Sequence, residues 1–288
     1  MSNSITLEEI VAKTPDLPSF PAAAMKVMRE AESSTSNASS IALILAQDQA
    51  LSARVLRLAN SAYYGLTRKV SNLQEAVVVL GTRCVRNLCM VAATYPWMSR
   101  KLDGYCLGPR DLWTHSFGTA LGAQLFARLS KKCNEDQAFT AGLLHDIGKV
   151  ALSVWLENKT SSVVQYAHRA DVTFDAAERR ILGFDHCQVG EHLANVWNLP
   201  EEIVNAARWH HDPNALESTS PIVDCVHLGL NLTATLGLGL GGDGMQYQFC
   251  QESFDRLEID QKEIDHITDT FLNGYEEYEK LFHDLTAA

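Results

Sequence analysis

The chain has 288 residues, of which 46% are hydrophobic and 20% are charged, enough apolar material for one large core or two smaller ones. This composition excludes a disordered chain, a collagen and a coiled coil. The 24 basic and 35 acidic residues give a net charge of −11, which argues against a general nucleic-acid-binding or anionic-membrane surface.

The charge is unevenly distributed along the chain. Residues 1–110 carry 12 basic and 8 acidic side chains, a net charge of +4, whereas residues 111–288 carry 12 and 27, a net charge of −15. Such an asymmetry indicates two domains.

The cysteines, the N-terminus and the longest uncharged run indicate the cellular compartment of the protein. None of the seven cysteines forms a C-x-x-C pair, so the sequence indicates neither a disulfide framework nor a zinc knuckle. The N-terminus is acidic where a signal peptide would be basic. The longest run without charged side chains, 225–242, contains polar residues and clustered glycines, unlike a membrane span. We expect a cytoplasmic protein with no membrane partner.

Helical start signals occur along the whole chain. Thr6 with Glu9 predicts a capping box, and Ser71 with Gln74 predicts a second one. Pro200, followed by two glutamates, predicts a further helix start. Because clear strand alternation is absent, we predict an all-α protein.

Glycine and proline interrupt the helical pattern twice, at 101–111 and at 237–244. We therefore predict an N-terminal helical bundle over 1–108, a second helical domain over 109–244 and an acidic C-terminal helical segment over 245–288.

Polar residues fall on helix faces that otherwise point inward. By helical spacing, Asp146 shares a face with Phe139 and Leu143, and His210 shares one with Ala207. A buried carboxylate needs a partner, so these side chains suggest one shared polar site. Its candidate members are His115, His145, Asp146, His186, His210 and His211.

Imidazole and carboxylate groups together bind divalent transition metals such as Fe, Mn or Zn. Two such ions about 3.5–4 Å apart can hold a phosphate ester and activate water for its hydrolysis, and Asp146 is suited to bridge them. Small residues such as Gly118 and Gly122 lie on the helix of His115 and predict a closely packed neighbour. The remaining histidines are interpreted as surface or hydrogen-bonded residues: His168, His192, His227, His266 and His283.

Taken in order, these residues resemble the HDOD proteins of bacterial signalling, a branch of the HD superfamily, over roughly residues 17–240. The most specific stretch in the first half is RLANS at 57–61 with Tyr64 and Gly65, while Asp48-Gln49 departs from the usual Asp-Pro. The second half matches in WTHS around His115, AGLLHDIGK at 141–149, GFDHCQVGEHLANVWNLP at 183–200 and WHHDP at 209–213.

The resemblance implies an all-α protein in which an N-terminal helical bundle packs on a helical HD-like domain, here 109–244. It also implies metal ligands. In catalytic HD phosphohydrolases a first metal is held by a histidine, a His-Asp pair and a later Asp, and the first three positions match His115, His145 and Asp146. For the later Asp the chain offers Leu230 or Asn231, with Asp224 a turn or two early, or no ligand.

The related HD-GYP branch, which cleaves cyclic di-GMP, holds its second metal through positions that match Asp146, His186, His210 and His211. The Gly-Tyr-Pro loop that should follow is missing, so cyclic di-GMP hydrolysis is not expected. Lys149 matches the Lys of HD-x-G-K and is predicted either to neutralise a phosphate oxygen or to pair with a carboxylate.

Two functional hypotheses follow. The first is a non-catalytic regulatory signalling protein that acts through a protein partner, with an HD site that is either vestigial and metal-free or holds one or two divalent metals for stability. The alternative is a metal-dependent phosphohydrolase on a nucleotide or small phosphate ester, with Asp146 and Lys149 as its catalytic residues. Nucleic-acid binding by the basic half is not favoured, because its arginines are more simply explained as solvated helix faces.

Overall fold

The computed structural model describes residues 6–14, 20–61, 64–156, 159–242 and 248–286. They are all-α, as predicted, and the extended pairing found among them is one isolated bridge between Leu102 and Leu107. Short 3-10 helices span Asp103–Tyr105 and Pro213–Ala215. The α-helices are α1 (Leu7–Lys13), α2 (Ala22–Ala31), α3 (Ala38–Leu45), α4 (Gln49–Ala59), α5 (Leu73–Leu80), α6 (Thr82–Met98), α7 (Asp111–Ser130), α8 (Glu135–Leu144), α9 (Ile147–Leu156), α10 (Thr160–Ala170), α11 (Phe174–Leu182), α12 (His186–Val196), α13 (Glu201–Trp209), α14 (Pro221–Thr235), α15 (Gln251–Leu257) and α16 (Gln261–Thr286).

All three predicted helix starts can be compared with the structure. Pro200 is the N-cap of α13, so that start is found. The Thr6 side chain accepts from the amide of Glu9, and the Glu9 carboxylate accepts from the amide of Thr6, so the first capping box is confirmed. The second is wrong by one residue. Asn72 is the N-cap of α5 and accepts from the Glu75 amide at 2.8 Å, while Ser71 donates to the Glu75 carboxylate. Asn caps a helix as well as Ser does.

The chain divides into two compact units. One comprises Met1–Pro18 and Trp97–Thr268, and the other comprises Ser19–Pro96 and Asp269–Ala288. The domain boundaries predicted after residues 108 and 244 stay predictions. Among the described residues no helix combines the length and the apolar character that crossing a membrane requires.

The unit with Ser19–Pro96 contains α2 to α5 and most of α6. Its buried residues include Ile41 on α3 and Val55 on α4. Asn60 follows α4 and is hydrogen-bonded to the backbone of Val70. Its Oδ1 accepts from the Val70 amide at 2.7 Å, and its Nδ2 donates to the Val70 carbonyl at 3.0 Å. The RLANS stretch therefore fixes the chain between α4 and α5.

The unit with Trp97–Thr268 is built around the pair α7 and α14. A Cβ on Gly122 would lie 2.7 Å from the Cα of Gly229, and one on Gly118 would lie 2.7 Å from Thr233. The predicted close approach along the small-residue face of α7 is therefore confirmed. α8 packs on both helices, while α12 packs on α9 and α13. This packing brings the end of α8, the start of α12 and the end of α13 beside the first half of α7.

Candidate metal centre

His115 lies on the second turn of α7, and the residue is 2% exposed. Its Nδ1 donates to the carbonyl of Leu238 at 3.2 Å, since a carbonyl oxygen only accepts. This bond selects the tautomer with a lone pair on Nε2, which lies 3.8 Å from Oδ2 of Asp146.

His145 and Asp146 occupy the turn between α8 and α9 and are both buried. The His145 Nδ1 donates to the Gly142 carbonyl at 2.7 Å, which leaves the Nε2 lone pair 3.3 Å from Oδ2 of Asp146. The turn positions Asp146 where three helices converge.

His186 is the first residue of α12, which begins with a capping box between Asp185 and Gln188. Its Nδ1 lies 2.6 Å from Oε2 of Glu178, a buried residue of α11, and its amide donates to the same oxygen. The Tyr105 hydroxyl donates to Oε1 of Glu178 at 2.5 Å. Glu178 and Tyr105 thus orient the imidazole in the manner of the carboxylate–histidine pairs of metal sites.

His210 and His211 directly follow α13, with His210 as its C-cap. The Nδ1 of His210 donates to the Ala206 carbonyl at 2.9 Å, and its Nε2 lies 3.7 Å from Oδ1 of Asp146. The His210 carbonyl in turn accepts from Nδ1 of His227 on α14 at 2.8 Å. The Nε2 of His211 lies 3.1 Å from Nε2 of His186, so one of these two rings carries the proton between them.

Four imidazoles therefore present Nε2 to one buried carboxylate. His115 and His145 approach Oδ2 of Asp146, while His210 and His186, the latter at 3.5 Å, approach Oδ1. Within the described part of the chain, neither Nε2 of His145 nor Oδ1 of Asp146 makes a hydrogen bond. Lone pairs that converge in a buried space are unfavourable without a cation between them, so these donors fit a divalent metal.

The donor atoms form two adjacent groups whose members lie within 4.8 Å of one another. One contains His115, His145 and Asp146, and the other contains His186, His210 and His211 together with Cys187. The structure thus brings together all six residues predicted as ligands, and their role as ligands stays a prediction. The Cys187 sulfur lies 3.6 Å from Nε2 of His186 and 3.8 Å from Nε2 of His210.

Sequence reasoning did not identify Cys187, Glu178 or Tyr105 as members of the site. Cys187 stands beside His186, but a lone cysteine carries no spacing signal. Glu178 shares a helical face with the buried Phe174 and Ala177, and an acidic residue on an apolar face is the one signal that points to it.

Lys149 is 2% exposed, and its Nζ lies 2.7 Å from Oδ2 of Asp146. The same ammonium lies 5.7 Å from the ring centre of Tyr105. Of the two roles predicted for Lys149, the structure shows the pairing with a carboxylate. Burial by itself raises the pKa of Asp146, but the Lys149 ammonium and the nearby imidazoles of His145 and His186 outweigh it and lower that pKa well below its usual value.

Three histidines of the cluster have pKa values shifted in different directions. Burial, and then neighbouring imidazoles, lower the pKa of His210 and His211 well below the usual value. Burial also disfavours the charged form of His186, yet the adjacent Cys187 and Glu178 outweigh it and raise the pKa of His186. The raised pKa favours a proton on the His186 ring when no metal is bound. Metal binding by His186 must release that proton.

The later Asp ligand has three candidate positions on α14. Asp224 is buried, accepts from Ser253 at 2.7 Å and pairs with Arg256 of α15 at 2.5 and 2.8 Å. The Asn231 amide donates to the carbonyl of His227 at 2.8 Å, and Leu230 is apolar. Asp224 and Asn231 thus have other partners, and Asp224 belongs to neither of the two donor groups.

A cavity of about 690 Å³ lies in the same compact unit but away from these donors. Its wall combines aromatic and aliphatic side chains from α7, α14, α15 and the start of α16, and Asn231 and Thr235 contribute polar groups. None of the six predicted ligands lines this cavity.

Comparison with known proteins gives one family and several related folds. The family model described as HDOD domain matches residues 17–213. The chain is 27% identical over 223 residues to an uncharacterised protein of Treponema pallidum (strain Nichols), which covers 75% of this chain. The chain spans only 42% of that relative's length.

Three solved structures are similar over nearly the whole chain. An HDOD domain protein of unknown function from Geobacter sulfurreducens is 27% identical with a TM-score of 0.72, and covers 96% of this chain and 95% of its own. A "Putative phosphohydrolase" from Shewanella amazonensis SB2B is 22% identical with a TM-score of 0.70 and coverages of 96% and 98%. A "Putative signal transduction protein" from Marinobacter aquaeolei VT8 is 21% identical with a TM-score of 0.77 and coverages of 97% and 65%.

Proposed function

The chain belongs to the HDOD domain family, and from that premise we propose that it is a signal-transduction protein whose buried histidine–aspartate cluster holds a divalent transition metal. The observation that carries the proposal is the convergence of four Nε2 atoms, at 3.3 to 3.8 Å, on the carboxylate of Asp146. A structural core needs no such set of aligned donors.

Each of these imidazoles is already oriented through its Nδ1. Three donate to backbone carbonyls and His186 pairs with Glu178. Such outer contacts fix the tautomer and the ring plane of metal-ligating histidines. One ion would be held by His115, His145 and Asp146, and a second by Asp146, His186, His210 and His211. The sulfur of Cys187 beside the second group favours Zn or Fe over Mn.

Burial supports a regulatory role over turnover. His145 and His210 are 0% exposed, Asp146 and His186 are 1% exposed, and His115 is 2% exposed. A phosphate ester must reach the ions of a phosphohydrolase, and of these ligands only His211 is partly exposed. A closed metal centre of this kind stabilises the fold that a signalling partner protein recognises.

The second candidate is a metal-dependent phosphohydrolase, and the Shewanella neighbour carries the name phosphohydrolase. The observation that favours it is the pair Lys149 and Asp146, because a buried ammonium beside a candidate bridging carboxylate is placed to stabilise a phosphate oxygen. A bound divalent metal would supply Lewis acidity and lower the pKa of a coordinated water. For Lys149 to act on a phosphate, it must first leave Asp146.

A turnover assay separates the two candidates. Protein loaded in turn with Fe, Mn and Zn is incubated with a panel of phosphomonoesters, phosphodiesters and nucleotides beside the Asp146→Asn variant. We expect no more hydrolysis of any substrate than the variant shows, measured by chromatographic separation of substrate and products. Turnover that requires both metal and Asp146 would replace the regulatory proposal by the phosphohydrolase one.

A further inference from the structure

Two free cysteines outside the metal centre face each other across a helix pair. Cys133 lies in the turn between α7 and α8, and Cys225 lies in the second turn of α14. Their sulfur atoms are 3.8 Å apart although 92 residues separate them in sequence. Both belong to the compact unit with Trp97–Thr268.

The two thiols differ in access to solvent. Cys225 is 0% exposed, whereas Cys133 is partly exposed in a turn beside Lys132. A dissolved oxidant therefore reaches Cys133 first. A disulfide needs a sulfur–sulfur distance of about 2.05 Å, so the two atoms must approach by roughly 1.8 Å. Because Cys133 sits in a turn rather than within a helix, rotation of its side chain and a small shift of the turn can supply that movement.

The contact between the two sulfurs also shifts the pKa values of the two thiols in opposite directions. The contact with the Cys225 thiol lowers the pKa of Cys133, although burial opposes the shift. The same contact, together with burial, raises the pKa of Cys225. The partly exposed Cys133 is thus the better nucleophile, and the buried Cys225 stays a thiol.

We propose that Cys133 and Cys225 are a reversible thiol–disulfide pair that responds to hydroperoxides, with Cys133 as the reacting thiol and Cys225 as the resolving thiol. The Cys133 sulfur attacks the O–O bond of hydrogen peroxide, which gives a sulfenic acid on Cys133 and one water. The Cys225 thiol then attacks that sulfur, forms the S–S bond and releases a second water. The two sulfurs lose two electrons in total, and peroxide gains them.

The bond would tie the turn before α8 to α14. α8 leads directly into His145 and Asp146, and His227 on α14 holds the carbonyl of His210. The disulfide would therefore restrain the two helices that flank the metal centre. The proposal does not depend on a metal being bound.

Peptide mapping of the full chain tests the pair. The reduced protein, kept in chelator, receives stepwise equivalents of hydrogen peroxide, is alkylated and is digested without reductant. We expect a peptide pair joined through Cys133 and Cys225, lighter by about 2 Da than its reduced parts, to form before the exposed Cys106 is oxidised. Dithiothreitol should reverse it, and the oxidised chain should melt roughly 5 to 10 °C higher.

Variants assign the two roles. Cys225→Ser should leave a sulfenic acid on Cys133 that dimedone traps, Cys133→Ser should give no linked peptide, and the matched control Cys106→Ser should behave as the unaltered chain does. Circular dichroism shows whether each variant is folded. If a variant is not folded, the peptide mapping of the unaltered chain still tests the proposal. The proposal is overturned if Cys133 and Cys225 are both still alkylated once Cys106 is fully oxidised.

Discussion

The ammonium of Lys149 lies 2.7 Å from Oδ2 of Asp146, and neither residue is more than 2% exposed. Asp146 is also the carboxylate on which four imidazoles converge. Lys149 therefore balances the charge of Asp146 when no metal does so, and a bound ion would take over that role.

Replacing Lys149 tests this balance. Lys149→Met should lower the free energy of unfolding in chelator by about 3 to 5 kcal/mol, because it leaves a buried carboxylate unpaired. Added Zn or Mn should recover part of the loss. The matched control is Lys132→Met, which removes an ammonium 2.5 Å from the largely exposed Glu258 and should cost less than about 1 kcal/mol. Equal costs in urea titrations of the two variants would contradict the role of Lys149.

The stability of the metal-free protein should depend on pH around 6.5. The pKa of His210 is lower in the folded chain than the ordinary 6.5, so the unfolded chain binds the extra proton below that pH. Stability should fall on acidification by about 1.4 kcal/mol per pH unit from His210, with a smaller addition from the partly exposed His211.

His186 changes the stability with pH in the opposite direction, because its pKa is raised in the folded chain. Its contribution is complete below pH 6.5 and is lost as the pH rises through the folded value. Urea titrations in chelator should therefore place the stability maximum near pH 6.5. His210→Asn should reduce the loss of stability below pH 6.5. His192→Asn, on the same helix as His186, should not change that loss. A stability that rises steadily from pH 7 to pH 5 would contradict this assignment.

Glu178 should control metal affinity without touching the metal. Glu178→Gln removes the charge that orients His186 and should weaken metal binding by about 10- to 100-fold, as outer-contact changes do. Tyr105→Phe removes only the 2.5 Å bond to Glu178 and should weaken it less. Competition with a chromophoric chelator measures the metal affinity of both variants. Unchanged affinity in Glu178→Gln would show that His186 is not a ligand.

Asp224 should matter for stability and not for metal. Asp224→Asn breaks the contacts to Arg256 and Ser253, at a cost of about 1 to 3 kcal/mol. Arg256→Met should cost a similar amount, and both variants should keep the metal content of the unaltered chain. Loss of metal in Asp224→Asn alone would instead make Asp224 the missing ligand.

Much of this architecture could be predicted from residue patterns. The 3.6-residue period predicts inward positions for Asp146 and His210. Both residues are buried, although each lies just past the end of its helix. The small-residue face of α7 likewise predicts the close contact with α14. These are local properties of single helices.

The remaining members of the site come from tertiary packing. Tyr105 lies in a stretch whose glycines and proline indicated only a break between domains, yet it folds back onto Glu178. His227 was interpreted as a surface or hydrogen-bonded histidine, and its partner, the His210 carbonyl, is set by the packing of α13 on α14. The observed N-cap of α5 differs by one residue from the predicted one, because Ser71 and Asn72 are equally suitable caps.

Elemental analysis is the most direct test of whether this cluster holds metal. The chain is purified without chelator or histidine tag, beside Asp146→Asn and His210→Ala, with Asp224→Asn as the folded control. We predict one or two equivalents of Fe, Mn or Zn in the unaltered chain and in the control, and a loss in the other two variants. A well-folded chain free of metal, also after incubation with each ion, would contradict the account.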